Sequence, residues 1–176
     1  RSVNNAQPED IDALADLIEK QIHQGLPPAA IGEIGLDYFV EDYDQALQTF
    51  YFTEQLKLAE RFELPVILHV RRSIDDVLKH LRQHKVRGGI AHAFNGSLQQ
   101  AEQFIELGFK LGFGGAMTYP RALKIRELAS TLPIEAIVLE TDAPDIPPEW
   151  LKNGEKNSPA QLKKISEIMA ELRSIK

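Results

Sequence analysis

Apolar positions along this chain alternate between two rhythms. From Pro8-Glu9-Asp10, the residues Ile11, Leu14, Ala15, Leu17, Ile18 and Ile22 recur at helical spacing until Gly25 and Pro27-Pro28 end the run, which predicts an amphipathic helix. Ala29 to Leu36 then reads as a short apolar run holding one carboxylate, the pattern of a buried strand. Residues 44–63 repeat Leu47, Phe50, Tyr51, Leu56, Leu58, Ala59 and Phe62 and stop before Leu64-Pro65, so a helix is expected there. Pro65 to Val70 predicts a second buried strand, Ile74 to His84 a second crossover helix, and Gly88 to His92 a third strand.

The rhythm continues with a helix over 97–107, a strand over 109–114, a helix over 121–130, a strand over 135–140 and a last helix from about Pro159 to Ser174. Strands alternating with helices imply an α/β fold of βαβ units with a parallel sheet and right-handed crossovers. Two architectures satisfy that pattern, a closed (β/α)8 TIM-type barrel and an open doubly wound sheet. The placement of unusual polar residues favours the barrel. Glu33 lies within the first strand, His69 in the second, His92 closes the third, and Asp142 follows the fifth. Barrel strand ends meet at one mouth, where active sites sit.

Length and composition narrow the class. With 176 residues, a single domain spanning 1–176 is expected. Apolar residues make up 43% and charged residues 26%, ordinary values for a globular chain. The formal charge of -6 is spread along the chain without a basic stripe, so a polyanion would need some attraction other than massed lysines. Cysteine is absent, which excludes disulfides and thiolate metal sites and fits a cytoplasmic setting. No apolar run is long enough to span a membrane, and no membrane partner is expected.

The polar residues in apolar surroundings carry the chemistry. A carboxylate in a buried strand must be paired, protonated or bound to metal, which makes Glu33 a metal ligand or acid/base group, with an ion pair to arginine as the alternative. His69, alone, could equally be a satisfied core histidine. His92 repeats its placement one βα unit later, and two such imidazoles with carboxylates are a usual ligand set for zinc, manganese and similar ions. Asp142 stands where Val-Leu-Glu-Thr-Asp-Ala-Pro leaves its strand, and Glu140 would face the same side if the strand continued. Asp37 and Tyr38 are candidates for substrate contacts or support of the ligands, or for a plain turn. Arg71, Arg72 and Arg121 fall on βα loops, where guanidinium groups can hold phosphate oxygens in pairs. His23, His80 and His84 read as helix surface, and Trp150 as a cap more than a base-stacking ring.

The segments GEIGLDY, PVILHVRR, HAFNGS, GGAMTYPR and ETDAP, in this order, resemble the successive signatures of the TatD family of metal-dependent deoxyribonucleases and related hydrolases of the amidohydrolase superfamily, with TYPR and ETDAPDIP nearest its YjjV-like branch. The resemblance covers about Ala29 to Pro159. It implies a (β/α)8-type barrel with two divalent metal ions, zinc, manganese or magnesium. Glu33 would bridge them, His69 and His92 would ligate one, and Asp142 would bind the other and act as general base. The implied reaction is phosphodiester hydrolysis, with DNA or another phosphodiester as partner.

The chain departs from that pattern in one respect. The family's opening His-x-His strand has no counterpart here, and about five βα units fall short of eight strands and of the roughly 250 residues a barrel of this type needs. An incomplete barrel is therefore expected, as a fragment or as a chain completed by another. Two alternatives to a nuclease stand beside it: hydrolysis of a small amide, ester or lactone, and an inactive binding module.

Overall fold

A computed structural model describes residues 2–152 and 154–175. The fold is α/β, with five strands in a parallel sheet whose order follows the chain, β1-β2-β3-β4-β5. The alternation read from the sequence is borne out in element type and order. By packing the chain forms two compact units, Arg1–Gly89 and Ile90–Lys176, divided within β3 (Gly89–Ala91).

The first unit holds α1 (Glu9–His23), β1 (Ile31–Asp37), α2 (Gln45–Arg61), β2 (Val66–Arg71) and α3 (Ile74–Leu81). Acidic Glu9, Asp10 and Asp12 fill the first turn of α1, and Lys20 and His23 its last, each matched to the helix dipole. Asp44 caps α2 by accepting from the Leu47 N–H at 2.9 Å. Buried Phe52, Leu56 and Ala59 on α2, Leu36 on β1, Val66 and Leu68 on β2 and Val77, Leu78 and Leu81 on α3 make this unit's core. Each large apolar side chain removed from water there contributes about 1.5–3 kcal/mol. Strands β1 and β2 pair in parallel from Ile34↔Leu68 to Asp37↔Arg71, with a shift of register between Ile31 and Ile34.

The second unit holds α4 (Leu98–Glu106), β4 (Phe109–Phe113), α5 (Leu123–Thr131), β5 (Ile137–Leu139) and α6 (Leu162–Arg173). Ser97 and Gln100 form a reciprocal capping box at the start of α4. β4 and β5 pair in parallel, Leu111↔Ile137 to Phe113↔Leu139. Phe104, Phe109, Leu111, Phe113, Met117, Leu128, Ile165 and Met169 are buried. Arg173 donates to the carbonyls of Ala129 and Leu132, tying α6 to the end of α5.

Several boundaries differ from expectation. Residues 134–136 wind into a 3-10 turn, so β5 begins at Ile137, and Pro159–Gln161 form another before α6. Gly115–Thr118 make a further 3-10 turn that apolar periodicity did not signal. The strand expected over 29–36 is not buried throughout, because Gly32 and Glu33 are exposed. His80 is not plain surface: its ring meets Phe52 edge-on at 5.8 Å and its Nδ1 is buried, so burial pushes its pKa down. Among the described residues no helix is long and apolar enough to cross a membrane.

One position fixes how closely β1 and β2 pack. Gly35 has φ 150°, and a Cβ there would lie 1.9 Å from the His69 carbonyl oxygen. Gly35→Ala should therefore destabilise the protein by about 2 kcal/mol or more in chemical denaturation. An unchanged denaturation midpoint would mean that the strands have slack at this point.

Candidate functional site

In the first unit, β1 and β2 bring three of the chemically active residues together. Asp37 is the last residue of β1, and His69 is central in β2. The parallel register sets Asp37 level with Arg71, two residues beyond His69 on the same face. His69 Nε2 lies 3.0 Å from Asp37 Oδ2, and its Nδ1 lies 3.9 Å from Glu33 Oε2, beyond hydrogen-bond length. A carboxylate can only accept, so the Nε2 position carries the proton and Nδ1 the lone pair. Asp37 thereby sets the tautomer of His69.

Burial raises the Asp37 pKa, but the Phe39 N–H at 2.9 Å, His69 and the charge of Arg71 outweigh it and hold the carboxyl below its ordinary value. The Glu33 side chain is 51% exposed, so the desolvation argument made for it from the sequence fails. Its neighbours are apolar, but it stands where the strand's burial lapses.

Tyr38 follows directly. Its hydroxyl donates to Asp76 Oδ2 at 2.8 Å, in the first turn of α3, and accepts from Gln45 Nε2 at 3.2 Å. Burial and the bond to Asp76 push the phenol up to about 12. The ring stacks on Tyr43 with centroids 5.0 Å apart. Arg71 and Arg72 both lie over the ring of Phe39, at 3.7 and 4.5 Å from its centroid. Phe39 and Tyr43 carry no signal in the sequence pattern, and the partners of Phe39 lie more than thirty residues on.

In the second unit, His92 stands one residue past β3 and Asp142 three past β5. His92 Nδ1 lies 3.8 Å from Asp142 Oδ1, with the imidazole largely covered. The strand does not run on through Asp142. Glu140 N–H still donates to the Phe113 carbonyl at 3.1 Å, but Asp142 takes φ 50° and the chain turns. Glu140 swings over β4: its Oε1 accepts from the Ala93 N–H at 2.5 Å, and a Cβ on Gly112 would meet Oε2 at 2.4 Å. Only glycine at 112 leaves that space.

Asn157 lies in the Pro-rich loop after Asp142 and carries no signal in the sequence pattern. It is 5% exposed, and its Nδ2 donates to the carbonyls of Thr141 at 2.7 Å and Asp145 at 2.6 Å. Its amide thus clasps the loop on both sides of Asp142. Arg121 is exposed, 6.0 Å from the Tyr119 ring, whose hydroxyl donates to the Pro147 carbonyl. Trp150 donates from Nε1 to Gln161 at 2.8 Å and carries Lys164 over its ring, so it packs against the start of the last helix.

A fold of this kind with paired imidazoles and carboxylates at its strand ends defines a family. The sequence matches the family described as TatD related DNase over residues 2–176, and the chain belongs to it. It is 45% identical over 172 residues to the uncharacterized metal-dependent hydrolase YjjV of Escherichia coli K12, covering 94% of this chain and 66% of that protein. It is 34% identical over 164 residues to the uncharacterized metal-dependent hydrolase YabD of Bacillus subtilis 168, covering 92% and 63%. The crystal structure of the E. coli YjjV TatD homologue superposes with a TM-score of 0.89 at 42% identity, over 97% of this chain and 64% of that one. A TatD family hydrolase from Entamoeba histolytica shares the fold, with a TM-score of 0.80 at 24% identity over 100% and 66%. The chain spans less than two thirds of the length of these relatives. The TIM-barrel type expected from the sequence holds for these relatives, and the chain carries five of its strands.

Removing the clasp should loosen the Asp142 loop. Asn157→Ala leaves two part-buried carbonyls without their donor and should cost about 1–3 kcal/mol, measured as a lower Tm. An unchanged Tm would show that the loop holds its shape without it.

Proposed function

We propose that this chain forms part of the active site of a divalent-metal-dependent hydrolase that cleaves phosphodiesters, DNA foremost. The observation that carries the proposal is the Asp37–His69–Glu33 arrangement. A histidine whose far nitrogen is held by a carboxylate, with its other nitrogen turned toward a second carboxylate, is the usual setting of a metal-ligating imidazole. The donor chemistry of Glu33, His69 and His92, one carboxylate and two imidazoles, suits zinc, manganese or a similar ion.

In this proposal Glu33, His69 and His92 hold one divalent ion, and Asp142 contributes to a second. Bound metal would lower the pKa of water and offset charge gathering on the phosphorus oxygens. The protein's own groups do the rest. Asp37 keeps the Nε2 proton of His69 in place, so that Nδ1 stays a donor. The Asp142 carboxylate takes the proton of the attacking water. Arg71, Arg72 and Arg121 bind phosphate oxygens along the substrate strand, outside the bond that is cut. Tyr38 supports the substrate side by pinning its loop to α3 through Asp76. The family description, a DNase, supports nucleic acid as substrate. Hydrolysis of a small amide or ester is the competing reaction, and arginines suited to phosphate count against it.

Two measurements on the full-length protein test the proposal. Asp37→Asn should weaken metal binding about tenfold or more in calorimetric titration; an affinity equal to wild type would overturn the role given to His69. Asp142→Asn should keep the fold and lose at least about a hundredfold in turnover of a phosphodiester with metal present. Full activity in that variant would rule out its role as base.

A further inference from the structure

Phe39 is a large apolar residue left 46% exposed at the end of β1, and two cations lie on its one ring. Like charges repel, so two neighbouring guanidinium groups gather only where something repays them. The ring quadrupole attracts each cation, and the planar groups can lie along an aromatic surface while their N–H edges face outward. Neither Arg71 nor Arg72 ion-pairs with a carboxylate among the described residues. Asp37, whose carboxyl feels the charge of Arg71, already accepts from Phe39 and His69. Two oriented forks therefore stand without an anion. In the same loop as Phe39, Tyr43, stacked on Tyr38, is 38% exposed. Exposed aromatics interleaved with arginine are the makings of a single-strand binding surface.

We infer that Phe39, Arg71, Arg72 and Tyr43 form a subsite for the backbone of a single DNA strand, distinct from the reacting phosphate. The two guanidinium groups grip one phosphate, held in register by the Phe39 ring, and a neighbouring base stacks on Tyr43. Arg71 lies two residues beyond His69 in β2, about 7 Å along the strand. That offset puts the gripped phosphate beyond the metal ligands, so the subsite adds affinity for a polymer that a small diester cannot use. The inference rests on the proposed function for its choice of DNA.

The test is fluorescence anisotropy of the metal-loaded full-length protein with a labelled single-stranded oligonucleotide about ten nucleotides long, a length within usual single-strand site sizes. Phosphorothioate linkages block turnover. Phe39→Ala should weaken binding about tenfold, as expected for loss of a cation-organising ring. Arg71→Ala and Arg72→Gly should each flatten the slope of log Kd against log salt by about 0.7. Arg72 has φ 57°, so glycine removes its guanidinium without backbone strain and keeps the test valid if Phe39→Ala fails to fold. Wild-type affinity and slope in the arginine variants overturn the subsite. Turnover of bis(p-nitrophenyl) phosphate, followed separately, distinguishes the two failures. Normal turnover with unaltered DNA binding sinks the subsite alone. Absent turnover with weakened DNA binding in the variants sinks the phosphodiesterase and leaves the subsite standing.

Discussion

Where Gly35 faces His69 across the β1–β2 ladder, the backbones approach so closely that no side chain fits between them. Much of the first unit's chemistry hangs on that approach. It keeps Asp37 at the end of β1 level with the end of β2, within hydrogen-bond reach of the His69 ring. A bulkier residue at 35 would part the strands, and the carboxylate that selects the His69 tautomer would move with them. The second unit solves a similar problem by the same means: Gly112 leaves room for the Glu140 carboxylate, which then reaches the Ala93 N–H. In both places the absence of a side chain lets a carboxylate fix the neighbourhood of a histidine.

Strand ends carry a second shared device. Arg72, Ala93 and Asp142 all take positive φ just past β2, β3 and β5, conformations that cost a non-glycine residue about 1–2 kcal/mol each. Such strain persists only where the surroundings over-determine it, and the surroundings are visible. Glu140 holds Ala93, and Asn157 brackets Asp142 through the carbonyls of Thr141 and Asp145. Leaving each strand by a sharp left-handed turn presents the next side chain abruptly at the strand's end.

Much of this was legible in the sequence, and the limits have physical causes. Helices α1, α2, α4 and α6 announce themselves by apolar spacing. Residues 134–136 mislead because Ile134 and Ala136 look strand-like, yet a 3-10 turn serves them equally well. Glu33 was read as buried from its apolar neighbours, but burial belongs to a face of the strand and its face is open. His80 and Asn157 escaped notice because burial of one polar side chain depends on tertiary neighbours that a single sequence does not reveal. The ring shared by Arg71 and Arg72 was illegible for a related reason: it comes from a loop more than thirty residues earlier, brought alongside by the parallel register.

An acidic chain with a net charge of -6 makes an unlikely host for a polyanion only if charge is counted over the whole molecule. At physiological salt the Debye length is about 8 Å, so a phosphate at the end of β2 responds chiefly to its immediate neighbours. Arg71 and Arg72 are exposed and stacked, while the nearby Asp37 carboxylate is drawn inward by the Phe39 N–H and His69. The hydrogen bonds that orient the imidazole therefore also occupy both oxygens of the Asp37 carboxylate, which feels the charge of Arg71 without forming an ion pair with it. Orientation of His69 and readiness of the guanidinium pair are thus two consequences of where the Asp37 carboxylate points.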